Sequence, residues 1–229
     1  MKLIILAAGI GSRLRPITLK KPKCLLNIKD TTIMGRIINQ FQNCGVKKIL
    51  IVTGHLNKKI NFVYKNKHKL IYYPKYKITN NFHTLWHIRK ELNEDCIITF
   101  SDLIIEDKIA RKLVKSKHNA TAVIDSSKIR KDTMMVKHKK KILQEIIVKN
   151  RGKASGNFIG IFAIKKKLIK SFLNNMKKLL RNSKKDYYVK VLNYMIKNNI
   201  IVNILDIKGN YWREIDTFNE YKKALKEFK

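Results

Sequence analysis

Apolar residues run almost unbroken through KLIILA (2–7) and KILIVTG (48–54). Runs of that length without alternation are expected of strands buried on both faces, as in a parallel sheet covered by helices. Between them the period changes. Ile33, Met34, Ile37, Ile38 and Phe41 recur at helical spacing, with N-cap candidates from Asp30 to Thr32 and Gly45 as the stop. NKKINFVYKN (57–66) predicts a second helix and KLIYY (69–73) a third strand. NNFHTLWHIRKEL (80–92) predicts one continuous helix with Phe82, Leu85, Trp86 and Leu92 inward, and CIITF (96–100) a fourth strand. A helix near 107–117 and the strand TAVID (121–125) continue the alternation. Strand and helix in turn imply right-handed crossovers and a largely parallel sheet.

After residue 125 the pattern differs. TMMVKHKKKILQEIIV (133–148) reads as two short strands around the turn HKKK, and NFIGIFAI (157–164) as another strand. Amphipathic helices with lysine-rich outer faces are expected near 165–182 and 186–198. IVNILDIK and YWREID are strands, and FNEYKKALKEF (218–228) is a closing helix. The expected fold is α/β and Rossmann-like. It has an open, mixed, mainly parallel sheet, helices on both faces and a small antiparallel part in the C-terminal half. A chain of 229 residues suits one sizeable core, and the expectation is a single domain over 1–229.

Composition changes this picture little. The formal net charge of +35 invites an anionic partner, and a basic nucleic-acid-binding protein is the reading from another class. The basic residues are mostly lysine, however, and scattered along the whole chain beside abundant Asn and Ile, which an AT-biased coding sequence produces by itself. No specific nucleic acid is expected. With only 16 acids, each acid in an apolar context is informative. Cys24, Cys44 and Cys96 have no metal or redox spacing and read as reduced core thiols. The apolar start lacks a cleavage site, and no stretch nears the roughly 18 apolar residues of a membrane span. A cytoplasmic protein without membrane insertion is expected, as monomer or homodimer.

LAAGIGSRLRPITLKKPK (6–23) carries the chemistry. Gly9 and Gly11 follow a buried strand, where backbone N–H groups can meet a phosphate. The third small residue of a dinucleotide fingerprint is missing, since Leu14 stands there, and no G-K-[ST] follows for a Walker loop. Instead Arg13 and Lys23 are two cations that can converge on the loop mouth, the second on an arm braced by Pro16 and Pro22. Asp102 and Asp216 each follow an apolar strand. They suit two jobs: capping the helices that come next, or jointly holding Mg²⁺ against nucleotide phosphates. Glu214, two residues before Asp216 on a strand, faces the same way and can join that shell. Asp125 also ends a strand, with nothing further to single it out.

The same stretch resembles the signature of the nucleotidyltransferases that join an NTP to a sugar 1-phosphate or a phospho-alcohol, L-A-A/G-G-x-G-[ST]-R-L-x-P-x-T-…-P-K. NNFHTLWH (80–87), FSD (100–102) and WREIDTFNEYKKA (212–224) are similar to segments of the short, phosphocholine-type cytidylyltransferases. The resemblance implies a fold of the nucleotide-diphospho-sugar transferase type, with 1–125 as the nucleotide-binding half and 126–229 as the acceptor-binding half. It implies CTP, or another NTP, and a small phosphorylated or phosphonate acceptor, with Mg²⁺ on Asp102, Asp216 and Glu214. Leu6, Ala7, Ala8, Gly9, Gly11, Ser12 and Arg13 would hold the nucleotide. Ala7 or Ala8, Gly54, Asn80 and Asn81 would line its base and ribose, and Thr84 would also bind the nucleotide. Arg13 and Lys23 would be catalytic, neutralising the leaving pyrophosphate and the incoming phosphate. Lys23, Asp186 and Tyr187 would meet the acceptor, with Asp186 as a plain N-cap the competing reading. The strand TMMV supplies no aromatic residue for a choline cage. A sugar 1-phosphate nucleotidylyltransferase using UTP, GTP or dTTP is the alternative enzyme.

Overall fold

The computed structural model describes residues 1–130, 132–148, 153–183 and 185–227. In chain order the strands are β1 (Lys2–Ala7), β2 (Asn27–Ile28), β3 (Thr31–Thr32), β4 (Lys48–Thr53), β5 (Lys69–Tyr72), β6 (Cys96–Phe100), β7 (Leu103–Ile105), β8 (Ala120–Asp125), β9 (Met135–Lys139), β10 (Ile142–Ile147), β11 (Gly156–Ile164), β12 (Asn203–Asp206) and β13 (Trp212–Glu214). The helices are α1 (Ile17–Lys20), α2 (Ile33–Gln42), α3 (Asn57–Tyr64), α4 (Asn81–His87), α5 (Asp107–Val114), α6 (Lys166–Leu179), α7 (Val189–Lys197) and α8 (Phe218–Glu227). Nine strands form one sheet in the order β5-β4-β1-β6-β11-β8-β12-β10-β9, while β13 pairs with β7 and β2 with β3 apart from it.

The sheet is open and mixed, as expected, but its antiparallel pairings are as frequent as its parallel ones, because the C-terminal strands enter its middle as well as one edge. β5, β4, β1 and β6 are parallel neighbours, and β12 runs parallel to β8. β11 is inserted antiparallel between β6 and β8, and β10 runs antiparallel to β12 and β9. β1 is buried along its whole length because apolar layers cover both its faces. One layer gathers Phe82 and Leu85 of α4 with Phe172 and Met176 of α6 and Val191 and Leu192 of α7. The other gathers Met34, Ile37 and Phe41 of α2 with Ile60 of α3 and Ile109 and Leu113 of α5. A small third cluster of Leu14, Leu26, Ile28, Ile33, Ile104, Ile215 and Ala224 fastens α8 beside the N-terminal loop.

Several boundaries differ from the sequence expectation, each for a local reason. The helix expected over 80–92 ends at His87, and 89–91 tighten into a 3-10 turn. The tighter turn brings both Ile88 and Leu92 into the core. The helix expected from 186 starts at Val189. The preceding residues lie across α4, with the Phe82 N–H donating to the Asp186 carbonyl and the Tyr188 N–H to Asn81 Oδ1. The helix expected to 182 ends at Leu179 in a 3-10 turn, and the one expected to 117 ends at Val114. The turn HKKK shrinks to Lys140-Lys141, both at positive φ (46° and 64°), as a two-residue hairpin requires. Phe228, the last residue of the expected closing helix, lies outside the described residues.

Gly54 ends up as a packing residue. A Cβ there would sit 2.6 Å from the Ala8 carbonyl oxygen and 2.9 Å from Ala8 Cα. These are backbone atoms just past the β1–β4 ladder, and the Ala8 carbonyl is held by the His55 N–H at 3.2 Å, so they give way only at a cost. Gly54→Ala is expected to cost about 1–3 kcal/mol of stability through overpacking. A urea unfolding midpoint equal to that of the parent chain would contradict it.

Candidate active site

β1 delivers the glycine loop to the carboxyl edge of the sheet, where open α/β sheets bind ligands. Gly11 has φ +66°, and a Cβ on it would approach Thr18 Cγ2 to 3.2 Å. Thr18 braces the loop from behind: its hydroxyl donates to the Gly11 carbonyl at 2.8 Å, and its own carbonyl lies 2.8 Å from the His55 ring nitrogen. Ser12–Leu14 form a 3-10 turn whose Leu14 is buried, which leaves Arg13 pointing outward and largely exposed. Lys23 opens a second 3-10 turn directly after Pro22, with Cys24 and Leu25 sunk into the core beneath it.

The two aspartates meet through a strand pair. Asp102 lies between β6 and β7, and β7 pairs antiparallel with β13, Leu103 opposite Glu214. The Ile215 N–H donates to the Asp102 carbonyl at 2.9 Å, which seats Asp216 beside Asp102. Lys23 Nζ is 2.5 Å from Asp102 Oδ2 and 2.6 Å from Asp216 Oδ1, and Arg13 reaches Asp216 Oδ2 at 2.6 Å.

Neither aspartate caps a helix. Before α8 the capping is done by Thr217 and Glu220. Thr217 Oγ1 accepts from the Glu220 N–H, and the Glu220 carboxylate accepts from the Asp216 and Thr217 N–H groups. That leaves the Asp216 carboxylate to the cations. Asp125 is fully employed elsewhere: it accepts from Trp212 Nε1, the Ser127 N–H and hydroxyl, and the Gly209 N–H. Burial alone would raise its pKa, and these hydrogen bonds outweigh that and hold it below the usual carboxylate range.

Asp102, Glu214 and Asp216 bring one carboxylate oxygen each to within 4.8 Å of one another. Burial, and the charges of Asp102 and Asp216, push the Glu214 carboxyl well above the usual range, against the pull of Lys23 and Arg13. Burial alone would lower the Lys23 pKa, yet the two aspartates outweigh it and raise it, so the ammonium stays charged. Asp102 Oδ1 is buried without a hydrogen-bond partner among the described residues. Three crowded carboxylates, an orphaned acidic oxygen and an ammonium already drawn between two of them make a donor set that fits a hard divalent cation.

The cleft in front has a volume of about 860 Å³, in the range of small-molecule sites. Of the residues expected to hold a nucleotide, Leu6 to Gly9, Gly11, Ser12, Arg13, Asn80, Asn81 and Thr84 line it, and Gly54 does not. The asparagines are also structural: Asn80 Oδ1 accepts from the Asn81 N–H as the cap of α4, and Asn81 Oδ1 holds the Tyr188 N–H at 2.7 Å. Tyr187 lines the cleft. Asp186 is not among its lining residues and pairs with Lys190 at 2.6 Å. Sequence reasoning missed Tyr76, Lys77, Thr79, Asp132, Thr133 and Lys185, which also line it. They sit on connections, where no apolar period marks them.

Comparison with known proteins agrees with this arrangement. The chain is 27% identical over 229 residues to the choline-phosphate cytidylyltransferase of Streptococcus pneumoniae, covering 97% of this chain and 96% of that one. It is 33% identical over 136 residues to the CTP:phosphoglutamine cytidylyltransferase of Campylobacter jejuni. That second match takes in 56% of this chain and spans only 53% of the relative's length. The solved CTP:phosphocholine cytidylyltransferase of S. pneumoniae has the same fold, with a TM-score of 0.85 at 23% identity, over 100% of this chain and 99% of that one. A sequence model described as "Nucleotidyl transferase" matches residues 2–229. Because that match takes in both the loop on β1 and the acidic residues that follow from β13, the chain belongs to the nucleotidyl transferase family.

Proposed function

We propose that this chain is a magnesium-dependent cytidylyltransferase that moves CMP from CTP to a small phosphorylated or phosphonate acceptor. The observation that carries the reading is the Lys23 ammonium, held at the loop mouth between carboxylates from two distant parts of the chain. An acceptor oxygen bonds to the α-phosphorus of CTP. The bond from that phosphorus to the oxygen bridging to the β-phosphorus breaks, and pyrophosphate leaves with the electron pair. The attacking group is already anionic at neutral pH, so no protein base is required, and catalysis is positioning and charge neutralisation.

The N–H groups from Gly9 to Ser12 hold the triphosphate. Arg13, long and mostly exposed, swings from Asp216 to the departing pyrophosphate. Lys23 offsets repulsion between the incoming phosphate and the α-phosphate. Asp102, Asp216 and Glu214 would hold Mg²⁺, which supplies positive charge to the nucleotide phosphates when bound. Cytosine is favoured because the similar curated proteins named above are cytidylyltransferases by name. The N-terminal half then serves the nucleotide and the C-terminal half the acceptor. A cytoplasmic site goes with this reading, in keeping with three free cysteines, two of them buried.

The test is pyrophosphate release with CTP, UTP, GTP and dTTP against phosphocholine, phosphoethanolamine, 2-aminoethylphosphonate, phosphoglutamine and glucose 1-phosphate. CTP should be preferred by about tenfold or more, the scale of losing one site-specific hydrogen bond. Preference for UTP, GTP or dTTP with a sugar phosphate would replace this reading, and silence with every pair would overturn it.

A further inference from the structure

Among the described residues lining the cleft, one carboxylate is left unused by the phosphate chemistry. Asp102, Glu214 and Asp216 are drawn together around Lys23, and Asp186 is committed to Lys190. Asp132 lines the cleft with Thr133 and Met134, as Tyr187 also does, and it has no ion pair among the described residues. The geometry points to Asp132 as the residue that selects the acceptor, by binding a primary ammonium at the end remote from the acceptor's phosphate or phosphonate. This rests on the transferase reading above and extends it to the acceptor class.

The placement of Asp132 is built from the core outward. Asn157 on β11 is fully buried and bonds Arg130, two residues before Asp132, and Thr133, the residue after it. Its Nδ2 donates to the Arg130 carbonyl at 2.7 Å and to Thr133 Oγ1 at 2.6 Å, and its Oδ1 accepts from the Arg130 N–H at 2.9 Å. The Arg130 guanidinium lies 4.4 Å over the Trp212 ring and donates to the Trp212 carbonyl. Trp212 is two residues before Glu214 on β13. Arg130, two residues before Asp132, is therefore tied to the strand that carries part of the acidic cluster.

The chemistry of the wall chooses among head groups. A second anionic group would be repelled by Asp132. A quaternary ammonium is held by aromatic faces on several sides, and residues 133–136 are Thr, Met, Met and Val. A primary ammonium has three N–H donors and gains most from an unpaired carboxylate. Lys77 and Lys185 also line the cleft, Lys185 next to Asn80, whose Nδ2 donates to its carbonyl.

The experiment compares kcat/KM for 2-aminoethylphosphonate with that for propylphosphonate, which has the same shape without the charge, and with phosphocholine, all at saturating CTP. The parent chain should prefer the aminoethyl compound to the propyl one by about tenfold or more. In Asp132→Asn that ratio should fall at least about tenfold, and Asp132→Glu should restore part of it. A ratio near one in the parent chain overturns the proposal. So does an unchanged ratio in Asp132→Asn, or a preference for phosphocholine over 2-aminoethylphosphonate. Silence with every acceptor and nucleotide overturns the transferase reading, and this one with it. Turnover of neutral and cationic acceptors alike overturns this one alone.

Discussion

Lys23→Ala is expected to lower kcat by about a hundredfold or more at saturating CTP and acceptor, the scale for losing one oriented charge from a preorganised site. The reason lies in where the ammonium is held. It is nearly buried, 14% exposed, between Asp102 and Asp216, at the mouth of the glycine loop that follows β1. A cation in that position lowers the cost of bringing an anionic attacker against an anionic phosphorus. Because burial is outweighed there by two carboxylates, the charge is present throughout the neutral range. The loss should fall mainly on kcat, since the repulsion that Lys23 offsets is greatest as the two phosphates close. Far-UV circular dichroism should show the variant folded, as Cys24 and Leu25 still anchor the turn beneath. A variant with unchanged kcat would remove Lys23 from the chemistry.

Asp216→Asn should cost more, about a hundred- to a thousandfold in kcat, because one substitution weakens two functions. It removes a carboxylate from the three-acid cluster, takes the charge partner from Arg13 and leaves Lys23 with Asp102 alone. Mn²⁺ binding followed by electron paramagnetic resonance should weaken by about tenfold or more, a readout independent of turnover. The neighbouring capping residue supplies the control. Thr217→Ala breaks the capping box at α8 and should cost about 1 kcal/mol of stability while leaving Mn²⁺ affinity within twofold. If Asp216→Asn lost only stability and Thr217→Ala lost the metal, the division of labour argued here would be reversed.

What was legible in the sequence, and what was not, follows from how each signal is encoded. Buried parallel strands announce themselves because both faces are apolar, so β1, β4, β6 and β8 could be read as runs. The loop from Gly9 to Lys23 was legible because its function needs particular residues at close spacing. Asp102 and Asp216 stood out because acids are scarce and both follow apolar strands. Whether they cap helices was not legible. For Asp216 that depended on Thr217 and Glu220 taking the cap, a matter of side-chain hydrogen bonds. The pairing of β7 with β13, which brings the aspartates together, involves three-residue strands too short to show a period. Gly54 and Asp186 had the right residue types in plausible places, and only packing against Ala8 and the pairing with Lys190 moved them out of the cleft. Asp132 gave no local signal at all, since its position is set by the buried Asn157. The sequence by itself determined the sheet, the phosphate loop and the acids on offer, because each is a local pattern of polarity and spacing. The tertiary structure decided which acids meet and which cation sits between them, because those depend on long-range contacts such as that of Lys23 with Asp216, 193 positions away.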